Sequence, residues 1–440
     1  MNNLKLSSEV FQRVKRKKIK LNFDGGDITS DGGLLILSEL DKKLNLTKDI
    51  ADVLKPFDER QPGKVEHSVQ DIIRQRVYAI AAGYEDVNDH DDLRLDSLMQ
   101  TAVGKDTPLG SASTVSRFEN TSLRESCVQI SKIIVEQFIR SFDSAPKELI
   151  LDFDATDIPI HGDQENKFFH GYYDHYCFLP LYVFSEEQLL CAYLRPSNDD
   201  PARHTWAILS LLVKRLRQEW PDVKIIFRGD SGFCRWKMLR WCDKNDVKYI
   251  VGIGKNARLK SFSSRLAIKA RKKYNRTGKK AKLFCDIYYA AKTWDKRRRV
   301  IAKSEHNSKG PNRRYVVTNL NGKAKELYEN LYCARGNMEN RIKEQQLDLF
   351  AIRTSCEKWY SNQFRILFSA LAYVLFERLR ALILKGTKFA KAQANTIRLK
   401  LIKIGAVIRR NTRKIYISMS EAYPYKQIFE TVIKKVALLE

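Results

Sequence analysis

Paired cysteines and long apolar runs are absent from this 440-residue sequence. None of its eight cysteines forms a Cys-x-x-Cys pair, and the histidines from His161 to His175 match no common zinc-ligand spacing. This excludes a disulfide scaffold or a zinc ribbon as the basis of the fold. The longest apolar run, Ile366 to Phe376, is too short to cross a bilayer and lies between Arg365 and Glu377. With no recognisable signal sequence, these absences predict a cytoplasmic protein with reduced, mostly buried thiols.

Acidic residues are scarce in two segments of the chain. Residues 255–314 contain 21 Lys and Arg against three acids, and residues 385–440 contain 13 against three. The formal net charge of the whole chain is +27, so the remainder is close to neutral. Positive charge concentrated in this way attracts nucleic acid, because binding to phosphates releases counterions. An anionic membrane surface is the other candidate partner, but no membrane segment supports it.

The length of the chain predicts two or three domains. Residues 30 to about 141 place apolar side chains at helical spacing and predict a helical domain, with bounds at 1–145. Within it, two short helical stretches flank a polar loop at 104–110, as in a helix-turn-helix, which would direct Ser116 and Arg117 towards DNA. Many helical domains share this pattern without binding DNA, so the pattern alone leaves both interpretations open.

From residue 148 onward the apolar period changes to that of an α/β fold. A strand pattern at 148–160 is followed by a predicted hairpin, by a helix starting at Pro201 and by a buried strand that ends on Asp230. Three antiparallel strands, a crossover helix and a fourth strand make an RNase H-like arrangement. The gap from Asp230 to Glu339 is too long for one loop and predicts an insertion. The predicted parts are a helical DNA-binding domain at 1–145, an RNase H-like core at 146–254 and 315–384, a basic, mainly β insertion at 255–314, and a basic C-terminal extension at 385–440.

Three acidic residues stand on separate elements of this predicted core. Asp154 lies within the first strand, Asp230 ends the fourth strand, and Glu339 lies on a later helix. Metal-dependent cleavage of phosphodiesters uses hard oxygen ligands that converge on two divalent ions about 3.5–4 Å apart. The placement therefore predicts that these three carboxylates are catalytic and bind metal. Asp152 and Asp157 compete with Asp154 as the ligand, and Asp230 is also a suitable N-cap for the helix that follows it.

The stretch LYCARGNMENRIKE, at 331–344, combines several functional side chains. Four of them recur at helical spacing and would share one face of a single helix: Tyr332, Arg335, Glu339 and Lys343. A phenol, a guanidinium, a carboxylate and an ammonium in a row suit an anionic polymer held beside a metal ion. An exposed helix with ordinary Arg–Glu and Glu–Lys pairs is the alternative.

The sequence resembles the RNase H-like DDE transposases of bacterial insertion sequences, and it looks most like the family numbered thirteen-eighty within the insertion-sequence-four superfamily. The motifs LDFDATD, FRGDSGF and YCARGNMENRIKE carry the resemblance, with support from GYEDVNDHDDLR and STVSRFEN, and it covers nearly the whole chain. The third motif of that superfamily is Tyr, two residues, Arg, three residues, Glu, six residues, Lys. Tyr332, Arg335 and Glu339 match it. Gln346 occupies the Lys position, and Lys343 is the candidate replacement.

The resemblance implies a transposase that binds the inverted repeats of its element, nicks both ends and joins them to target DNA. Two Mg²⁺ or Mn²⁺ ions would be its only cofactors, held by Asp154, Asp230 and Glu339. Tyr332 and Arg335 would hold the phosphates of the DNA ends. A homodimer in a synaptic complex and a location at the nucleoid are also implied. An RNase H-like nuclease that cuts without joining and a non-catalytic DNA-binding protein are the alternatives.

The basic segments are further candidates for contact with DNA. In the predicted insertion, the charge density points to Arg297, Arg298 and Arg299 as DNA-binding residues. Relatives with such an insertion stack a flipped base on a tryptophan, for which Trp294 and Trp236 are candidates, with packing inside the protein as the alternative. The C-terminal extension suits either a DNA clamp or a dimerisation surface.

Overall fold

The computed structural model describes residues 14–439, which form a mixed α/β protein with one large sheet. Its α-helices, in chain order, are α1 (Leu34–Leu44), α2 (Leu46–Leu54), α3 (Val69–Ala82), α4 (His90–Leu93), α5 (Ser97–Val103), α6 (Ala112–Asn120), α7 (Arg124–Ile139), α8 (Thr205–Glu219), α9 (Trp236–Lys244), α10 (Ala257–Phe262), α11 (Ser264–Thr277), α12 (Ala324–Glu326), α13 (Gly336–Lys343), α14 (Trp359–Arg378), α15 (Ala394–Ile397) and α16 (Lys426–Ala437). Its strands are β1 (Asp27–Thr29), β2 (Glu148–Ala155), β3 (Ile158–Pro159), β4 (Phe168–His170), β5 (His175–Phe178), β6 (Leu181–Ser185), β7 (Gln188–Tyr193), β8 (Lys224–Gly229), β9 (Lys248–Ile253), β10 (Ala281–Tyr289), β11 (Arg298–Asn307), β12 (Gly310–Thr318), β13 (Ala406–Arg410) and β14 (Ile415–Met419). The prediction of an α/β fold is confirmed.

The chain divides into two compact units. The first combines the described residues up to Thr47 with Gln61–Val115 and with the chain from Arg378 onward, and the second combines Lys48–Arg60 with Ser116–Glu377. The basic C-terminal extension therefore belongs to the same unit as most of the N-terminal helices. The division into five parts drawn from the sequence does not anticipate this pairing, because it follows chain order.

The first unit is held together by contacts between its N-terminal and C-terminal segments. Strand β1 pairs antiparallel with β13, which forms a hairpin with β14. The guanidinium of Arg398 donates hydrogen bonds to the carbonyls of Ile80 and Ala81 at the end of α3. Gly33 donates its N–H to the carbonyl of Ile402, and a Cβ added at Gly33 would lie 1.7 Å from the Leu401 carbonyl oxygen. Only glycine permits the C-terminal chain to pass this close.

The second unit is built on an eight-stranded sheet with the order β10-β11-β12-β9-β8-β2-β6-β7. Strands β2, β8 and β9 are parallel, while β6 and β7 extend the sheet on one side as the predicted antiparallel hairpin. On the other side β12 pairs antiparallel with β9, and β11 and β10 follow. The strands of the predicted insertion thus continue the central sheet, and the basic stretch before them forms helices α10 and α11.

Alternation along the strands gives the sheet two different faces. One face buries Leu151, Phe153 and Phe227 in a large core that includes side chains of α7, α8 and α9. On the opposite face, Ile226 and the neighbouring strands pack against Tyr328. Because side chains alternate, the acids of β2 lie on this second face, as the sequence pattern predicts.

Two helices differ from the prediction. Helix α8 begins four residues after Pro201, because residues 201–204 form a turn, and Asp200 before it accepts a hydrogen bond from the Ala202 N–H at 2.8 Å. The stretch 331–344 is not one regular helix. It runs from a π-helical segment, Leu327–Tyr332, through a 3₁₀ turn, Cys333–Arg335, into α13, and a second π-helical segment follows. Each change of helix type shifts the angular position of the next side chain.

The eight cysteines are free thiols, and most are buried or half-buried. Within residues 14–439, the helices are all too short or too polar to cross a membrane.

Candidate active site

Two parallel strands bring Asp154 and Asp230 together. The register of β2 and β8 places Phe153 opposite Gly229, so Asp154 and Asp230 follow side by side at the carboxyl ends of the strands. Asp154 is still within β2, where it lies opposite Tyr182 of β6. Asp230 leaves the sheet and accepts a hydrogen bond from the Gly232 N–H at 2.8 Å, which begins a short 3₁₀ turn. The capping role considered for Asp230 therefore coexists with its position at the sheet edge.

The interrupted helix crosses this edge and supplies the other side chains. Arg335 donates a hydrogen bond from Nη1 to Oδ2 of Asp154 at 2.9 Å and another from Nη2 to Oε1 of Glu339 at 3.3 Å. Although burial disfavours a charge on Arg335, the carboxylates of Asp154, Asp230 and Glu339 raise its pKa. Three acids from three distant parts of the sequence therefore act on one guanidinium.

The pKa of Asp154 is affected by the same charged groups. Burial raises the pKa of Asp154 to about 6; the Arg335 guanidinium opposes this rise, and the negative charges of Asp230 and Glu339 add to it. Like charges held close together repel one another, and a positive charge placed between them relieves that repulsion.

Tyr332 approaches Asp230 over a glycine. A Cβ added at Gly252 would lie 2.7 Å from the Tyr332 hydroxyl oxygen, 2.8 Å from the Ser231 nitrogen and 3.1 Å from the Asp230 carbonyl carbon. The ring of Tyr332 also packs against Tyr328, with centroids 5.4 Å apart. Burial raises the pKa of the Tyr332 phenol, whose hydroxyl stays protonated at neutral pH. Glycine at position 252 is needed for the helix to lie this close to the sheet.

The two acids that compete with Asp154 have other partners. Asp152 is buried and forms a two-pronged ion pair with Arg228 of β8, and Arg228 also donates to the carbonyl of Leu331. This brace joins β2, β8 and the interrupted helix. Asp157 accepts a hydrogen bond from His175 at 2.9 Å. Of the three, Asp154 is the one that faces Arg335.

The donor set suits a hard divalent cation, although the carboxylates are held around Arg335. Among residues 14–439, no three His, Cys, Asp or Glu side chains stand close enough to hold a metal ion as they are placed. Three carboxylates are nevertheless the ligands that Mg²⁺ and Mn²⁺ prefer. A guanidinium drawn between Asp154 and Glu339 marks a position where positive charge is favoured.

The DNA-binding candidates outside the acid cluster differ in exposure. Lys343 is exposed one turn beyond Glu339, and Arg117 is exposed on α6. Ser116, on the same helix, is half-buried and accepts hydrogen bonds from the Asn120 side chain. Gln346, at the expected lysine position, donates to the main-chain oxygen of Asp157 at 3.0 Å, so it fastens the helix to the chain after Asp154.

The arginines at 297–299 have three different environments. Arg297 is exposed, whereas Arg298 is buried and pairs with Asp243 and Asp295. Arg299 pairs with Asp286 and donates to the carbonyls of Leu320 and Gly322. Arg297 alone of the three is therefore left accessible to a phosphate.

Trp294 is half-buried and packs inside the protein. It makes an edge contact with Tyr289 at 5.5 Å, and the Arg298 guanidinium lies 5.5 Å from its ring centroid. These contacts favour the packing role over the stacking of a flipped base.

Several features of the site lie beyond what the sequence suggests. The Arg228–Asp152 brace, the close approach at Gly252 and the buried Tyr182 opposite Asp154 have no motif of their own. The hydroxyl of Tyr182 is buried without a hydrogen-bond partner in the described structure. Alternation along β2 and β6 is the one signal that places Tyr182 near the acids.

The sequence matches the family model described as transposase DDE domain group 1 over residues 11–440. Among solved structures, it is similar to a piggyBac transposase in a synaptic complex with hairpin DNA, at 10% identity and a TM-score of 0.42, over 85% of this chain and 79% of that chain. No curated protein sequence matches it. Because the family match spans nearly the whole sequence, including all three motifs that carry the acids, the chain belongs to the transposase DDE domain group 1 family.

Proposed function

We propose that this transposase binds the inverted repeats at the ends of its element, nicks both ends and transfers them to target DNA. The convergence of Asp154, Asp230 and Glu339 on Arg335 is the observation that carries the proposal. The reaction needs no side-chain nucleophile, because metal ions held by the three acids would activate a water molecule or a DNA hydroxyl.

The sheet supports an RNase H-like catalytic core. Within the larger sheet, strands β7-β6-β2-β8-β9 have the arrangement of an antiparallel three-stranded meander followed by two parallel strands. In chain order β2 is the first and β8 the fourth strand of this set; Asp154 lies near the end of β2 and Asp230 directly follows β8, and the glutamate comes from α13. A basic insertion between the fifth strand and that helix fits the family numbered thirteen-eighty, to which we assign the element.

DDE transposases use divalent metal ions. In this chain Asp154, Asp230 and Glu339 would hold two Mg²⁺ or Mn²⁺ ions. Bound there, the ions would lower the pKa of a water or 3′-hydroxyl and stabilise the leaving oxygen.

The side chains of the helix would then position the DNA. With ions on the carboxylates, the Arg335 guanidinium would be available to pair with a phosphate, to which it offers a planar, two-pronged donor. Lys343 is exposed on the same helix and offers a second positive charge. The Tyr332 hydroxyl, next to Asp230, is a hydrogen-bond donor for a phosphate oxygen.

A longer DNA surface is available on the basic segments. Helix α11 packs on β10 and β11, with Ala270 buried and Tyr274 against His306. Its basic side chains are exposed, namely Arg265, Lys269, Arg271, Lys272, Lys273 and Arg276. Arg297 adds to the exposed charge of this region. We propose that these residues hold the transposon ends, that two copies of the chain pair the two ends in a synaptic complex, and that the protein acts at the nucleoid.

A strand-transfer assay tests the proposal. The substrate is labelled DNA that carries the inverted repeats flanking the reading frame, incubated with a target plasmid and Mg²⁺ or Mn²⁺. Asp154→Asn and Glu339→Gln should abolish cleavage and joining while retaining binding to the ends. Glu329→Gln is the matched control, because Glu329 precedes Glu339 in the same helical stretch but pairs with Lys282, and it should retain activity.

The outcomes separate the candidate functions. Cleavage without joining by the wild type would identify a nuclease, and binding without cleavage would identify a DNA-binding protein. Cleavage that survives Asp154→Asn would refute the assignment of the acids.

A further inference from the structure

The hairpin of β13 and β14 in the first unit extends past its neighbour in the sheet. Strand β13 pairs with β14 along its whole length, whereas β1 pairs only with Ala406–Ile408 of β13. From Arg409 to Tyr416 the described structure is therefore a ribbon of two strands joined by a turn. We refer to residues 406–419 as the basic ribbon.

One face of the basic ribbon is fixed to the first unit. The guanidinium of Arg410 donates a hydrogen bond to the Gln100 side-chain oxygen at 2.9 Å and another to the main-chain oxygen of Ser97, both on α5. Ala406 and Ile408, on the same side of β13 as Arg410, are each only 3% exposed. This inner face is therefore held in place, and the outer face is presented to solvent by a fixed element.

The outer face of the basic ribbon carries hydrogen-bonding side chains. Val407 and Arg409 lie on this side of β13, opposite Ser418 and Tyr416 of β14. All four are exposed, Val407 by 37% and Tyr416 by 47%. A guanidinium, a phenol and a hydroxyl are groups that form hydrogen bonds with the edges of bases in a groove of DNA.

The turn of the basic ribbon adds two exposed cations. The Asn411 side chain accepts hydrogen bonds from the N–H groups of Arg413 and Lys414 at 3.0 and 2.8 Å, and the Asn411 N–H donates to the Lys414 carbonyl at 3.0 Å. These bonds fix the backbone of the turn. Arg413 and Lys414 are both exposed, so two positive charges have a set position at the tip of the ribbon.

Acidic residues do not offset this charge along the chain. The sequence contains no Asp or Glu between Glu377 and Glu421. On the neighbouring strand β1, Asp27 lies opposite Ile408, below the two-stranded part, and its carboxylate accepts a hydrogen bond from the Ser97 hydroxyl. The two-stranded part of the basic ribbon therefore offers positive charge to a polyanion.

We propose that the basic ribbon enters the major groove of B-form DNA, with its outer face towards the base edges and its turn at the phosphates. The major groove is about 12 Å wide and admits a two-stranded β-ribbon, whereas the minor groove is only about 6 Å wide. This interaction belongs to the first unit and needs no cleavage, so it goes beyond the reaction proposed for the acids. The ligand is duplex DNA, supplied by the ends of the element or by the target.

A second copy of the chain is the rival partner. Within residues 14–439, β14 pairs with β13 alone, and an edge strand can pair with a strand of another molecule. Arg413 and Lys414 directly precede β14, and charged side chains at an edge disfavour such pairing. The same two cations attract phosphates, so the charge of the basic ribbon favours DNA.

Binding of three fluorescent duplexes to the full-length chain, measured by anisotropy, tests the proposal. The probes are the terminal repeat that flanks the reading frame, a DNA duplex of shuffled sequence and an RNA duplex with the sequence of the repeat. Arg409→Ala should raise the Kd for DNA about 5- to 150-fold, on the terminal repeat alone if the ribbon binds the ends and on both DNA duplexes if it binds any target.

The turn is tested through the dependence of binding on salt. Arg413→Gln combined with Lys414→Gln should reduce the slope of log K against log salt on DNA by about two. Neither this variant nor Arg409→Ala should alter the binding of RNA, because the major groove of an A-form duplex is too deep and narrow for side chains to read. The replaced side chains are exposed, so thermal unfolding should match that of the wild type.

A matched control removes the same charge from another part of the first unit. Lys426→Gln combined with Lys434→Gln replaces two exposed lysines of α16. This variant should keep the wild-type salt slope on DNA.

Three outcomes would overturn the proposal: unchanged binding of both DNA duplexes by the ribbon variants, an equal loss on RNA, or an equal loss of salt slope in the α16 control. Unchanged DNA binding together with a change of oligomeric state in sedimentation velocity would assign the basic ribbon to a second copy of the chain. Failure of the proposed function is distinguishable, because the wild type would then bind DNA through the ribbon without cleaving or joining the ends.

Discussion

Replacement of Arg335 by glutamine should lower the stability of the metal-free protein and raise its affinity for divalent ions. The guanidinium neutralises Asp154 and Glu339, and glutamine keeps much of its length and polarity without the charge. In the variant the carboxylates repel one another until an ion binds. In the wild type, an ion must first displace the guanidinium.

The magnitude follows from the two contacts. The Arg335–Asp154 pair is 2.9 Å long between side chains that are 18% and 15% exposed, and a charge-assisted hydrogen bond of this kind contributes about 1.5–3 kcal/mol. The contact with Glu339, whose side chain is 52% exposed, adds about 0.5 kcal/mol or less. We assume that a bound ion breaks both contacts in the wild type. The variant lacks these contacts, so its metal-free form is less stable by about 2 kcal/mol, and binding of Mn²⁺ no longer has to break them. Its affinity for Mn²⁺ should therefore be higher by roughly 30-fold.

Thermal unfolding with and without Mn²⁺ and isothermal titration with Mn²⁺ measure these effects. Arg341→Gln is a matched control on the same helix, because Arg341 is 17% exposed and pairs with Glu187 and Glu344. It should also lower stability, but Mn²⁺ should not restore it. Should Arg335→Gln bind Mn²⁺ no more tightly than the wild type, the guanidinium does not compete with ions and this reasoning fails.

Three further predictions concern stability and DNA binding. Arg228→Met leaves the buried Asp152 without a partner and should cost about 3–5 kcal/mol in urea unfolding, much of which Asp152→Leu in the same chain should recover. Arg297→Ala should weaken DNA binding and reduce the slope of log K against log salt by about one, whereas Arg298→Ala should lower stability with little effect on that slope. Burial lowers the pKa of His90 to about 3, so the unfolded chain takes up a proton that the folded chain does not. Stability from this group is lost as the pH falls from about 6.5 towards 3, by up to about 1.4 kcal/mol per pH unit, and His90→Gln should remove that part of the acid sensitivity measured by urea unfolding.

Each of these three predictions would be contradicted by a specific result. Recovery in the double variant would be missing if Arg228 served mainly to contact Leu331. Equal salt slopes for the two arginine variants would place the DNA elsewhere. Identical acid sensitivity of wild type and His90→Gln would show that other groups control unfolding at low pH.

Local patterns predict much of the central sheet. Alternating residues identify β2, and the hairpin of β6 and β7 is legible from two apolar runs and the turn between them. The pairing of β12 with β9 and of β1 with β13 is not legible, because strand partners distant in sequence are selected by burial and by register in three dimensions. The sequence therefore predicts an insertion separate from the core, whereas its strands β10 to β12 extend the central sheet.

The sequence likewise predicts only part of the candidate site. Motif spacing is enough to indicate Asp154, Asp230 and Glu339, but it cannot decide between Asp154 and Asp152. That choice depends on Arg228, which lies 76 residues after Asp152 and forms an ion pair with it. The changes of helix type before Glu339 also follow from tertiary packing, since no Pro interrupts 327–343 and the single glycine, Gly336, begins α13.

The pairing of β1 with β13 has a consequence for the order of events during synthesis. The second unit ends at Glu377, whereas the first unit lacks one strand partner until the ribosome has released residues 406–410. The earliest residues to emerge must therefore wait while the later unit folds. A premature stop codon or a frameshift between positions 378 and 405 would deprive the first unit of the strand that pairs with β1 and leave the acid-bearing sheet complete.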